Sequence, residues 1–469
     1  VGDGGREADV VVVGAGYAGL SAARRLVDAG LDVVVLEARG RVGGRVWSET
    51  TQAGALVDHG GQWIGPGQHH LQAWADELGV TTFPTFSDGA NVEIRDGRRH
   101  LFTGLVPTSD REGSADAVAA LLELDLLAQE VPPEEPWTHP DADALDRRTL
   151  GEWVVSEVGS PAARAMITTA TLGVFGAEPC ELSLLYALAY AHGGGSMSAL
   201  LRTAGGAQER RFHGGAQQMA VRVAEALGDR VVLDAPVSSV RLEPGRVSVT
   251  ADRTTPDGHR RPWRVDAARV VVAIPPATQG RIAFDPPLPG RREQLVQRSP
   301  MGSVTKVHAV YERPFWRDEG LSGQVVADAG ALRLVFDDSP DDASHGVLMG
   351  FLAGHEDRIL DGSGSAGRAA IALAELAAAF GPTAGSPLEV VEQHWSAEPF
   401  TRGGPVACLG PGVLTGCGPA LREPVGPVHW AGTETAAAWS GYIDGAISSG
   451  LRAADEITAA LGRPARQGA

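Results

Sequence analysis

The most chemically suggestive residues of this 469-residue chain are the glycines of the run Gly14-Ala15-Gly16-Tyr17-Ala18-Gly19. Set between a strand and a helix, such a run lets Gly14 make a tight turn and Gly16 admit a pyrophosphate close to the backbone, while Gly19 packs helix on strand. The free N–H groups and partial positive charge of the helix N-terminus then face the phosphates. Glu37 ends the next β-branched run, where a carboxylate accepts hydrogen bonds from a ribose diol. Residues 39–45 read RGRVGGR, a second glycine-rich turn whose arginines directly follow that acidic residue. A nicotinamide dinucleotide has no use for this second turn. A flavin whose diphosphate is gripped from two sides does, so FAD is the expected cofactor. Residues 428–450, VHWAGTETAAAWSGYIDGAISSG, add a strand, a Gly-Thr turn and a helix N-terminus as a further place for backbone amides to meet it. Lys306 is the single lysine among 40 Lys and Arg residues. A position that keeps a compact amine in so arginine-rich a chain is a candidate for a role that Arg cannot fill.

These groups need a scaffold. Residues 9–13 read as a buried strand, 18–29 as a helix with Leu20, Ala23, Leu26 and Val27 on one face, and 31–37 as a second strand. Together they form a βαβ unit, expected to be parallel and right-handed. Residues 1–7 read as a disordered lead-in and 107–140 as surface-lying helices and loops, while 162–191 read as largely helical. Strands are expected at 230–234, 237–242 and 246–251, with the polar stretch 252–264 as a hairpin tip, and at 269–273, stopped by Pro275-Pro276. Helices at 366–380 and 441–461 and strands at 389–395 and 428–431 complete the reading. Val304, Val307 and Ala309 place Lys306 inside a strand.

Composition narrows the class of partner. With 43% hydrophobic and 21% charged residues the chain is globular, and its length suits about three folding units. A net charge of −18 argues against nucleic acid and anionic membranes and favours small cations. Cys180, Cys408 and Cys417 form neither a disulfide framework nor a zinc cluster, which points to a reducing, cytoplasmic setting. No apolar run reaches the length of a membrane span. The histidines, including His69-His70, show no metal-ligand pairing with a carboxylate; they are assigned to surface or turns, and no metal site is expected.

The blocks VVVGAGYAGLSAARRL, LEARGRVGGRVWS, DHGGQWIGP, GGAQERRFHGG, VVVAIPP, SVTKV, PFWR and HWAGTETAAAWSGYIDGA, in this order, resemble the flavin monoamine oxidase family over residues 9–461. The resemblance implies an α/β (mixed α+β) architecture. A Rossmann-like FAD domain of the glutathione-reductase/hydroxybenzoate-hydroxylase type would span residues 8–85, 212–295 and 400–469. A substrate domain of mixed sheet and helices would span residues 86–211 and 296–399. It further implies that Gly14, Gly16, Tyr17, Ala18 and Gly19 bracket the pyrophosphate, with Glu37 and Ala38 at the adenosine ribose and Arg39, Gly43, Gly44 and Arg45 nearby. Gly60, Gly61, Gln62 and Trp63 would pass the flavin ring, Val237 and Ala273 would line the adenine channel, and Gly432, Thr433, Gly441, Tyr442 and Ile443 would hold the ribityl and pyrimidine end. Lys306 falls on the family's flavin-facing lysine, which reaches N5 through a water, and Trp395 on the tryptophan beside the ring. Trp63, Leu201, Gln208, Phe336 and Tyr442 fall on substrate-lining positions.

Three departures carry meaning. The position of the cysteine that bonds covalently to flavin in the membrane-bound relatives is Gly404, so FAD is expected to be noncovalent. The next position, one tyrosine of their aromatic pair, is Pro405, which leaves Tyr442 as the retained wall. The C-terminal anchor of those relatives has no counterpart before Ala469.

The expected chemistry is hydride transfer from the carbon next to nitrogen to flavin N5, giving an imine and then an aldehyde, with O2 reduced to hydrogen peroxide. Trp63 and Phe336, as pocket walls, favour an apolar or aromatic primary amine, and an aromatic, water-poor pocket favours its neutral form. A putrescine or polyamine oxidase would need a further carboxylate, with Asp337 or Asp338 as candidates. A biosynthetic dehydrogenase or desaturase on the same scaffold stays open, as does a homodimeric assembly.

Overall fold

A computed structural model describes residues 5–255 and 258–462. The βαβ unit is formed by β1 (Arg6–Val13), α1 (Tyr17–Asp28) and β2 (Val33–Leu36), with the two strands parallel. β1 starts at Arg6, inside the stretch read as lead-in, because Arg6 and Glu7 pair with Val265 and Asp266 of the strand Arg260–Val272; residues 1–4 of that stretch lie outside the described residues. Gly14 turns the chain at φ +100°, a conformation that favours glycine, and a Cβ there would meet Ala273 O at 3.1 Å.

Among the described residues β1 sits inside an eight-stranded sheet. Its order is Val231–Val232, β2, β1, Arg260–Val272, Arg246–Thr254, Val237–Glu243 and Ala283–Asp285, with Val428–Trp430 also on Arg260–Val272. Most of the stretch read as a hairpin tip is strand: Arg246–Thr254 and Arg260–Val272 pair down to Thr254 and Arg260. An antiparallel pair that faces water tolerates polar side chains, so polarity alone did not mark a turn. Residues 256–257 of the tip lie outside the described residues.

A second sheet carries Lys306. Its order is Glu389–His394, Val304–Tyr311, Gly346–Ala353, Leu332–Asp337, Leu321–Ala327, Ala90–Arg95 and Arg98–Phe102. All eight residues of Val304–Tyr311 are buried; Gly346–Ala353 pairs along its whole length and Glu389–His394 along Thr305–Val310. The helices Arg111–Glu130, Pro161–Phe175 and Leu184–Gly193 form a separate apolar core. The first lies at the surface as expected, with Leu122 and Leu126 exposed, while Ala117, Ala120, Leu121, Leu124 and Ala128 bury its other face at helical spacing. Gly176 at φ +64° ends the second helix, and Ser183 caps the third by accepting from Tyr186 N, so residues 162–191 form two helices. Among the described residues no helix is long and apolar enough to cross a membrane.

Candidate active site

One cavity takes its lining from both large sheets, and every residue singled out for cofactor or substrate contact lines it except Gly19 and the two aspartates considered for a diamine. Gly19 stands behind the loop, where a Cβ would come within 1.9 Å of Gly14 O, so its part is packing alone. At the dinucleotide end α1 begins without a side-chain cap and without an acidic residue in its first turn. Its first N–H groups are therefore free for an anion. The second glycine turn clasps the first: Gly43 N donates to Ala15 O at 2.9 Å, and Gly16 bridges Gly43. A Cβ on Gly16 would find only Gly44 Cα, at 3.8 Å, which leaves an open cradle of backbone suited to a diphosphate.

Charge around that cradle is paired. Glu37 accepts from Ala15 N (2.7 Å) and Arg39 N (2.9 Å), which fixes its carboxylate at the strand end. Arg39 binds Glu398 at 3.2 Å, and Arg45 forms a two-pronged pair with Glu434 at 2.5 and 3.0 Å. Arg41 donates to the carbonyls of Val42, Gly44 and Val46 and lies over Trp47, outside the cavity lining, so two of the turn's three arginines face the site. The helix Ile443–Ala460 also begins without a side-chain cap, its cap position being Tyr442, and Asp444 in its first turn accepts from Leu71 N. Gly432 (φ +125°) and Gly441 (φ +81°) bend the approach to it. A Cβ on Gly441 would collide with the Tyr190 hydroxyl, so glycine is required there. These features fit FAD: two uncapped helix ends, two interlocked glycine turns and a carboxylate at the ribose position.

At the centre, the segment 58–63 passes under Lys306. Its Nζ donates to Asp58 O (2.6 Å), Gly60 O (3.0 Å) and Gln62 Oε1, so all three hydrogens of the ammonium have protein acceptors. The expected bridge from Lys306 through a water to N5 must therefore share one of these hydrogens. Burial lowers the lysine pKa to about 8, against the opposing pull of Asp338 and Asp58. Gly60 must be glycine, because a Cβ there would sit 1.9 Å from Arg45 O and 3.2 Å from the Trp395 ring. Trp395 is buried and donates to His59 O at 2.8 Å, which fixes its indole edge-on to the same loop.

The far end is apolar. Trp63, Phe336 and Phe351 meet as a cluster with centroids 5.3 to 6.5 Å apart, closed by Leu172, Val174 and Leu201. Gln208 lines this end with Nε2 on Leu200 O at 2.9 Å, leaving Oε1 buried and unpartnered. Tyr442 packs against Trp439 and Tyr190, with centroids at 5.1 and 6.4 Å, and Pro405 lines the cavity at the place of the missing tyrosine. Asp337 and Asp338, weighed as carboxylates for a diamine, do not line the cavity. Asp337 is bound by Arg317 and Trp316, and Asp338 by Gln62 and Arg211.

Sequence reasoning missed Tyr190 and Phe351, whose place in the wall depends on distant packing. It also assigned every histidine to surface or turns, whereas His59 and His308 are buried at 1% and 0% exposure. The period of a strand was a usable signal for His308, which must share a face with Lys306.

Comparison with known proteins agrees with this geometry. The family model for flavin containing amine oxidoreductases matches residues 17–458. The protein provisionally named flavin-containing monoamine oxidase AofH of Mycobacterium tuberculosis is 41% identical over 453 residues, 97% of each chain. Human flavin-containing amine oxidase B is 34% identical over 463 residues, 97% of this chain and 87% of the relative. Among solved structures, cyclohexylamine oxidase from Brevibacterium oxydans is 34% identical with a TM-score of 0.91, covering 97% of this chain and 100% of that one. The cavity and these likenesses converge: the chain belongs to the flavin-containing amine oxidoreductase family and is an FAD-dependent amine oxidase.

Proposed function

We propose that the enzyme oxidises primary amines bearing a bulky cycloaliphatic or aromatic group and passes the electrons to O2. The observation that carries this is the makeup of the far end: Trp63, Phe336, Phe351, Leu172, Val174 and Leu201, with the Gln208 amide as the polar group. Among the described lining residues Glu37 is the single carboxylate, and it sits at the opposite, dinucleotide end. A diamine would have to bury its second ammonium there without a counter-charge, which costs several kcal/mol. Likeness to a cyclohexylamine oxidase and to human amine oxidase B accords with this, although a putrescine oxidase of Kocuria rosea is also 38% identical.

When bound, FAD supplies the hydride acceptor and the route of electrons to O2. The protein supplies the rest. The aromatic and aliphatic walls desolvate the ammonium and favour the neutral amine that reacts. Trp395 and Tyr442 orient it, and Gln208 Oε1 offers an acceptor. Lys306, protonated below about pH 8, holds the loop carbonyls of Asp58 and Gly60 and places a fixed positive charge where reduced oxygen develops negative charge. FAD is held noncovalently in this reading: Gly404 lines the cavity, while Cys408 lies outside it with Sγ on Phe175 O. Residues 8–85, 212–295 and 400–469 would form the FAD part and 86–211 and 296–399 the amine part, a division supported by the membership of the two large sheets. The free cysteines suit a reducing, cytoplasmic setting.

The test is an amine screen of the purified yellow enzyme under air with peroxide detection. Cyclohexylamine-like and benzylamine-like substrates should exceed putrescine in kcat/KM by at least about tenfold. A preference for putrescine would overturn the substrate class, and flavin that stays with acid-precipitated protein would overturn noncovalent attachment.

A further inference from the structure

Against the segment 58–63 lies a polar cluster that the chemistry above does not use. His308 shares a strand face with Lys306 and is completely buried, yet neither ring nitrogen makes a hydrogen bond of good geometry. Its Nε2 stands 3.6 Å from Asp338 Oδ2, which is itself unpartnered. That spacing is too long for a direct bond and suits a water touching both. Asp338 Oδ1 accepts from Gln62 Nε2 at 2.5 Å and lies 3.2 Å from Arg211 Nε, so the carboxylate is tied to the group that holds Lys306. On the other side His308 meets the His59 ring edge-on at 5.8 Å, and His59 Nδ1 is again buried without a partner. The second nitrogen of His59, Nε2, lies 2.9 Å from Glu49 Oε2, and the Glu49 side chain is 50% exposed. Buried polar atoms are nearly always satisfied, by ordered water where protein is lacking. Four such atoms lie together in this one cluster.

We propose that His308, Asp338 and His59 enclose ordered water and form a proton path that joins the Lys306 side of the cavity to solvent at Glu49. The inference rests on the amine oxidase reading, because that reaction has a proton to move. The incoming ammonium, RCH2NH3+, loses one proton to become the neutral amine. Its α-carbon then gives up a hydride, leaving RCH=NH2+, which water converts to the aldehyde and ammonium. O2 later takes two electrons, the hydrogen delivered with the hydride and one further proton to become H2O2. One proton thus leaves in the first half of the cycle and returns in the second.

The charges favour relay over storage. The groups that face His308 are Lys306 on its own strand, Arg211 and Asp338 from the strand and loop beside it, and His59 with the Asp58 carbonyl from the segment crossing it. Burial, then Lys306, His59 and Arg211, hold the His308 pKa well below that of an ordinary histidine. A neutral imidazole keeps one donor and one acceptor, so it can take a proton on one nitrogen while releasing one from the other, without trapping it.

Two measurements on the FAD-loaded enzyme decide the matter. A high-resolution crystal structure should show ordered water within hydrogen-bond distance of His308 Nε2 and Asp338 Oδ2. A dry pocket would overturn the proposal. Glu49→Gln, at a half-exposed position, should slow flavin reoxidation by O2 about tenfold and make it depend on buffer concentration, with added imidazole restoring the rate. His308→Gln should slow the same step without rescue, because its lesion is buried. Water in place with unchanged, buffer-independent reoxidation in Glu49→Gln would overturn the relay. If no amine reduces the flavin, the amine oxidase reading fails instead; the relay is then judged on the crystallographic water and on reoxidation after chemical reduction of the flavin.

Discussion

Two polar clusters lie on opposite faces of the buried strand Val304–Tyr311, and they are built in opposite ways. On one face Asp357 accepts from Thr305 (2.5 Å), Ser303 (2.7 Å) and Ser396 (2.8 Å), and His394 joins Thr305 at 2.6 Å and Asp361 at 2.8 Å. Burial pushes the Asp357 carboxyl up, but hydrogen bonds from His394, Thr305, Ser303 and Ser396 outweigh it and leave its pKa below the usual value. On the other face Lys306 is saturated, while His308, His59 and Asp338 keep unpartnered atoms. A closed network specifies a fold. An open one next to a cavity leaves places for water, substrate or protons. The first cluster thus serves the sheet, and the second is the one we propose to serve the reaction.

Removing the hub of the closed cluster should have the largest effect. Asp357→Ala strands His394 and three hydroxyls and should lower the unfolding free energy by about 3–5 kcal/mol, read from urea denaturation, while kcat of the folded enzyme stays within about twofold. A fall in kcat with stability intact would place Asp357 in the site and erase the contrast. Next, Lys306→Met should slow flavin reoxidation by about 10²–10³-fold, some 3–4 kcal/mol, and reduction by amine much less, as measured by stopped flow. Equal losses in both halves would make Lys306 a support for the segment 58–63 instead. Further along the cavity, Leu201→Glu supplies the missing far-end carboxylate and should shift the kcat/KM ratio of putrescine to monoamine by about tenfold toward the diamine. An unmoved ratio would place Leu201 away from the amine's far end.

The smallest effect concerns pH. Asp357, then Asp361, raise the His394 pKa against the cost of burial. A raised histidine contributes stability that is complete below its unfolded pKa of about 6.5 and is lost as pH rises through the folded value. Wild type should therefore exceed His394→Gln in melting temperature at mildly acidic pH, by less than about 1 kcal/mol in stability, with the gap closing in alkali. A gap that widens with pH would show that His394 acts as a neutral hydrogen-bonding group.

The same contrast explains what the sequence could reveal. Gly14, Gly43 and Gly60 were legible because backbone geometry leaves no other residue possible: positive φ at the first two and a Cβ clash at the third. Lys306 stood out by rarity within an arginine-rich chain, and its strand by the valines around it. The amine end was read mainly through the resemblance, as with Leu201 and Phe336. Tyr190 and Phe351 were invisible because each reaches the cavity from an element far along the chain from the glycine loops. His59 and His308 were misread because burial of a polar side chain is decided by tertiary packing, which no local pattern records. The hairpin Arg246–Thr254 with Arg260–Val272 shows the converse: polar residues on a water-facing pair read as a turn although the ladder continues.

The most direct test of the account is anaerobic reduction of the bound flavin, followed by its bleaching, with a cyclohexylamine-like or benzylamine-like amine against putrescine at matched concentrations. The apolar, carboxylate-free far end predicts rapid and complete bleaching by the first and slow bleaching by the second. Equal rates, or faster bleaching by putrescine, would contradict it.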